Sequence, residues 1–261
     1  MDRRVIASIT ILSAALCITR AANLATPATL IPVARMALGG SYELGGNTIT
    51  NDSVPSIMNR IHGIIKFAPF SFLNVGIDAG ATQIDVAADT NANGAYGLFH
   101  GNYGFSGGAH LLLGTPFFYN DLFRVILIGK ATVFSSANPE GASYAGKDGT
   151  GALGVQFHIP RFGFVSAGPQ LYVIQGEDKS YTDVKHKYSN INNVRGWLAL
   201  DFFPRDKLGS KNKFFVSAEL SAGPAVAFGK RAPVQEFSFA VTIGSITKRL
   251  YGEESDVEWS P

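Results

Sequence analysis

Along most of this chain apolar and polar positions alternate with a period of two, the pattern of a β-strand with two unlike faces. From Val33 to Leu44 the even positions are Ala34, Met36, Leu38, Gly40, Tyr42 and Leu44, while the odd ones include Arg35, Ala37, Gly39, Ser41 and Glu43. In "FLNVGIDAGAT", Leu73, Val75, Ile77, Ala79 and Ala81 alternate with Asn74, Gly76, Asp78, Gly80 and Thr82. "RVILIGKATVFSS" sets Arg124 and Lys130 in register on one face of an otherwise apolar run. The alternation returns near Arg60, His62 and Lys66; near Gln156 and His158; near Arg195, Trp197 and Asp201; near Lys213, Ser217 and Glu219; and in "QEFSFAVTIG". With Tyr103 to Leu113 and Phe164 to Ile174, it predicts about ten strands of about ten residues, the length a tilted strand needs to cross a bilayer. Eight or twelve strands fit the same pattern.

The connections divide into two kinds. Short ones are expected at Ala68-Pro69, Tyr119-Asn120-Asp121, Pro160-Arg161 and Pro204-Arg205-Asp206, and longer polar ones near Gly45 to Pro55, Asp85 to Gly94, Ser135 to Gly149, Gly176 to Asn193 and Gly223 to Val234. That describes a meander with tight turns at one end and long loops at the other. Aromatic residues gather at the short turns: Phe67, Phe70 and Phe72; Phe117, Phe118, Tyr119 and Phe123; Phe162 and Phe164; Phe202, Phe203, Phe214 and Phe215. Rings collected at one level are what a membrane interface selects.

A soluble sandwich also alternates, so composition has to decide. Only 16% of the residues are charged, against about 25% in soluble domains. Glycine, 29 of 261 residues, exceeds its usual share of about 7%. The polar face is built of Gly, Ala and Ser with occasional charges, which suits a narrow, crowded lumen better than a wet outer face.

The first residues read as an export signal: Asp2, Arg3 and Arg4 make a charged start, Val5 to Ile18 an apolar run, and Ala21 a small residue for cleavage. That run is shorter than the roughly 20 residues of a spanning helix. The single cysteine, Cys17, would leave with the signal and take with it any disulfide or thiolate site. The expected organisation is a signal peptide over 1–21, a barrel over 22–251 and a short polar tail over 252–261.

Alternation, turn asymmetry and aromatic placement from Val33 to Tyr251 give a chain that resembles the broad class of bacterial outer-membrane β-barrel proteins. The resemblance implies an antiparallel up-and-down transmembrane β-barrel in the cell outer membrane, with membrane lipid and the barrel-assembly machinery as partners. In that class the last strand usually ends on an aromatic residue. "FSFAVTIGSITKRLY" fits that at Tyr251, but "GEESDVEWSP" follows it.

Candidate chemistry is sparse. A net charge of +2 with no Lys/Arg run gives no field for nucleic acid. "GTGALG", Gly149 to Gly154, matches a dinucleotide fingerprint in letters but precedes the strand-like "VQFHIP" rather than a helix. His62, His100, His110, His158 and His186 show no metal-ligand spacing, and no G-x-S-x-G marks a nucleophile. Asp85, Asp89, His100, Asp183 and His186 fall near expected loop ends, the place for a rim hydrolase, with nothing to fix their geometry. No cofactor, metal site or enzymatic activity is therefore expected.

The charges on the inward face remain: Arg35, Arg60, Lys66, Arg124, Lys130 and Arg195 against Glu43, Asp78, Asp201, Glu219 and Glu236. The two sets nearly cancel. A selective pore tends to carry rings of one sign, so mixed charges point to salt bridges across a narrow lumen and to a structural or surface-interaction role. A small pore or passive transporter is the alternative.

Overall fold

The structure, a computed structural model, describes residues 28–48, 55–86, 99–160, 162–179, 185–203, 213–227, 230–247 and 250. The expected signal peptide and C-terminal tail, with Asp89 and Asp183, lie outside the described residues. The strands are β1 (Met36–Thr48), β2 (Pro55–Phe70), β3 (Leu73–Val86), β4 (Phe99–His100), β5 (Asn102–Gly114), β6 (Phe123–Ala137), β7 (Ser143–Ile159), β8 (Gly163–Lys179), β9 (Lys185–Phe202), β10 (Lys213–Ala227) and β11 (Lys230–Ile246). Each long strand pairs antiparallel with its neighbour, and β1 closes on β11 from Ala37↔Ile246 to Gly46↔Phe237. Setting aside the two-residue β4, which pairs with the end of β3, the result is a closed antiparallel barrel of ten strands. Closure leaves no unpaired edge, a condition that lipid imposes on any spanning sheet.

The two faces separate as the alternation requires. On β3, Asn74, Asp78 and Thr82 are buried while Val75 and Ile77 are exposed; on β6, Arg124, Lys130 and Thr132 are buried while Val125, Leu127 and Val133 are exposed. Each of the ten long strands turns large apolar side chains outward, among them Leu38, Ile61, Phe105, Leu153, Leu171, Val194, Phe214 and Ile243. In water such a continuous belt would far exceed the apolar patch that soluble monomers tolerate. In lipid it is the required surface.

Two expectations need correction. The strands run from 13 to 18 residues, not about ten. The segments expected as long loops are largely strand, so the β6–β7, β8–β9 and β10–β11 connections shrink to 138–142, 180–184 and 228–229, while the β9–β10 connection covers 203–212. The asymmetry of short and long connections is therefore weaker than the sequence implies. The reason is visible in β7, where Tyr144, Asp148 and Thr150 point inward and Ala145 and Lys147 outward. Polar residues that keep a period of two still pair, and they extend the hairpins beyond the apolar belt. "GTGALG" lies wholly inside this strand.

The aromatic clusters also divide by parity. Phe70, Phe72, Phe118, Tyr119, Phe162 and Phe214 are exposed, whereas Phe164, Phe203 and Phe215 are buried and close the interior at that end, called here the floor. Phe164 meets Phe203 edge-on at 6.0 Å, and Phe203 lies 6.2 Å from Phe215.

Replacing Val75 or Ile77 by Arg is expected to cost about 2–4 kcal/mol if the position lies near the bilayer midplane. A denaturant titration of protein refolded in lipid vesicles measures it. A cost below about 0.5 kcal/mol at both positions would contradict a lipid-facing wall.

Candidate functional site

The interior of the barrel is the site, and it is filled. At the end opposite the floor an apolar roof is made by Met58, Ile84, Val86, Phe99, Phe134, Ala142, Tyr144, Tyr172 and Ile174. Between roof and floor lie the charges. Arg60 is bonded to Asp148 and stands 3.6 Å from Glu43, with its guanidinium 5.3 Å from the Phe134 ring. Arg195 lies 4.4 Å over the Tyr172 ring. Lys66 is within electrostatic reach of Asp201 and Glu219. In this low-dielectric interior each cation needs an opposing charge or an aromatic face, because leaving one unpaired costs several kcal/mol.

Below the middle the chain itself enters the lumen. The strand expected from Val33 begins at Met36, and the residues before it turn inward. Ala34 adopts φ 59° while its N–H donates to the Ala68 carbonyl at 2.9 Å, an anchored left-handed bend that redirects the chain. Residues 28–31 are buried inside the barrel. The Ala28 N–H donates to Asp201 Oδ1 at 3.2 Å, Gln156 Nε2 donates to the Ala28 carbonyl at 3.2 Å, and Arg124 donates to Thr29 Oγ1 at 2.8 Å. Leu30 packs with Leu112, Ile126 and Trp197. Asn74, with its amide oriented to match its neighbours, accepts from the Ile31 N–H at 2.8 Å.

Most residues expected in the lumen are buried there: Glu43, Arg60, Lys66, Asp78, Arg124, Lys130, Arg195, Asp201 and Glu219. Arg35 instead precedes β1 and is half-buried in the inward turn, and Glu236 pairs through its backbone with Gly223, its side chain lying outside the described residues. The partners differ from expectation at Arg124. Its Nε donates to Gln156 at 2.7 Å and its guanidinium stacks 4.5 Å from the Phe117 ring, so its direct contacts are a neutral amide, a hydroxyl and aromatic faces. Of the rim set, Asp85 and His100 come together, 2.7 Å apart across β3 and β4.

Sequence reasoning missed the most connected group. On β2, His62 reaches Ser106 Oγ on β5 with Nε2 at 2.8 Å and Asp78 Oδ2 on β3 with Nδ1 at 2.7 Å. His110 Nδ1 stands 3.8 Å and Lys130 Nζ 3.4 Å from the same carboxylate. Glycines make the room. Gly80 lies between His62 and Ser106 in the ladder, and a Cβ there would stand 2.9 Å from the His62 ring; one at Gly76 would stand 2.6 Å from His110 Cε1. Ser106 itself follows a register shift in the β5–β6 pairing between Tyr103 and Ser106. The available signal was parity: His62, Asp78, Ser106, His110 and Lys130 all occupy even positions on strands whose even face is inward. Among the described residues no group of three or more His, Cys, Asp or Glu side chains is arranged to hold a metal ion.

A closed antiparallel barrel with an apolar exterior and a polar, charge-matched interior defines the class: this chain has the fold of an outer-membrane β-barrel protein. Among solved structures it is similar to the outer membrane protease OmpT from Escherichia coli, at 10% identity over 84% of this chain and 98% of that one, with a TM-score of 0.43. It is also similar to the CymD monoaromatic hydrocarbon channel, at 10% identity over 88% of this chain and 92% of that one, with a TM-score of 0.28. No family model matches the chain, and no curated protein matches it in sequence. The expectation of no enzymatic activity is corrected by the first of these structures: that barrel is a protease, so this architecture gives no ground for denying catalysis.

Asp148, buried against Arg60, and Lys147, exposed beside it, provide a matched test. Asp148→Ala is expected to lower the unfolding free energy by about 3–5 kcal/mol by leaving Arg60 undercompensated, and Lys147→Gln to change it by less than about 0.5 kcal/mol. Refolding titrations in vesicles compare the two. Equal effects would contradict the buried-pair reading.

Proposed function

We propose that the protein resides in the outer membrane as a sealed barrel, inserted by the barrel-assembly machinery, with a structural or surface-interaction role. The observation that carries this reading is the complete burial of Lys66, Gln156, Asp201 and Ser217, which have no exposed surface although they lie on the lumen face. A water-filled channel would leave such groups wet. In a ten-strand barrel, only slightly wider than the eight-strand kind that side chains fill, a few long residues and one inserted segment are enough to close the section. If the signal is removed after Ala21, six residues precede Ala28, and the inserted segment is the start of the mature chain.

A second reading, a gated pore for small solutes, has one observation in its favour. Residues 28–31 lie in the lumen but belong to no strand, and their hydrogen bonds run to side chains rather than to a ladder. Such a segment can leave without disturbing the wall.

Planar-bilayer recording separates the two. The wild-type protein is expected to show little or no steady conductance. Arg124→Ala combined with Lys130→Ala, which frees Thr29 and unbalances Asp78, is expected to produce openings. Large, stable, ion-selective wild-type channels would overturn the sealed barrel and favour the pore.

A further inference from the structure

We propose that Ser106, His62 and Asp78 form a nucleophile, general base and orienting carboxylate able to cleave a carboxylic ester with an apolar acyl chain. This goes beyond the sealed-barrel reading and does not depend on whether the lumen conducts.

The geometry carries the assignment. A base that activates a serine needs one ring nitrogen within about 2.6–3.2 Å of the hydroxyl and the other held by a third group. His62 meets both conditions, with Nε2 2.8 Å from Ser106 Oγ and Nδ1 2.7 Å from Asp78 Oδ2. The three residues come from three adjacent strands, the rigid support that a reacting constellation requires. The carboxylate holds the Nδ1 proton, which leaves Nε2 free to accept from the serine. The register shift beside Ser106 adds a second feature, since strand bulges recur next to active sites, where they re-aim a side chain.

The surroundings set the substrate class. Phe134 is the ladder partner of Ser106, both side chains are buried, and Phe134 belongs to the apolar roof. An acyl chain fits against Phe134, Met58 and Ile84, whereas a charged acyl group would face that apolar surface unpaired.

In the reaction the Ser106 hydroxyl proton passes to His62 Nε2 as Oγ bonds to the ester carbonyl carbon, and the carbonyl electron pair moves to oxygen. When that pair returns, the bond to the alkoxy oxygen breaks and the leaving alcohol takes the proton from His62. Water, activated by the same nitrogen, then releases the acid and restores the Ser106 hydroxyl.

The test treats the full-length protein in detergent micelles with diisopropyl fluorophosphate and locates the adduct by peptide mass spectrometry. Circular dichroism checks the fold of each variant. Adduct is expected on Ser106, with His62→Gln slowing its formation about 10²–10⁴-fold. Because Ser106 has no exposed surface, Phe134→Ala and Ile84→Ala are run in parallel to thin the roof. Adduct in either roof variant but not in the wild type supports the site and identifies the roof as its barrier. A labelling rate unchanged by His62→Gln, adduct only on other residues, or no adduct on Ser106 in the wild type and both roof variants would overturn the proposal.

Discussion

The interior of a lipid-embedded barrel has no solvent to fall back on, and the rest of the structure depends on that constraint. Arg60, Lys66, Arg124, Lys130 and Arg195 face Glu43, Asp78, Asp148, Asp201 and Glu219, one cation for each carboxylate, and all ten are buried. Where direct pairing fails, other groups take over: Gln156, Thr29 and Phe117 for Arg124, and the Tyr172 ring for Arg195. A buried pair of this sort contributes little net stability, but losing one partner is costly. The network therefore restricts which interior sequences the barrel tolerates more than it strengthens the fold.

The wall was legible in the sequence because it follows from a period of two and from which residues suit lipid. Leu73, Val75 and Ile77 against Asn74, Gly76 and Asp78 state the inside and the outside of β3 directly. Strand ends were less legible. Tyr144 to Thr150 read as a polar loop because composition was given more weight than parity, and Asp148, the partner of Arg60, was lost with it. The inward turn at Ala34 left no mark, since a single left-handed alanine has no signature without its acceptor on Ala68.

The histidine cluster shows the same limit in another form. His62, Asp78 and Ser106 are 16 and 28 residues apart in sequence, and only the ladder registers bring them onto one patch of wall. Glycine at positions 76 and 80 now has a specific reason: the rings of His110 and His62 occupy the volume a side chain there would need. What first reads as a small-residue lumen face is a set of gaps that longer residues from neighbouring strands fill.

The central claim is that this lumen is packed and dry. It is tested most directly by placing single cysteines at Ser166 and Ser217, both without exposed surface, and at the exposed turn residue Asp121, in a chain with Cys17 replaced by Ala. Reaction with a membrane-impermeant, water-soluble thiol reagent in folded, lipid-embedded protein is then timed. The account predicts rapid modification at position 121 and essentially none at 166 and 217 until the barrel is unfolded. Comparable rates at all three positions would contradict it.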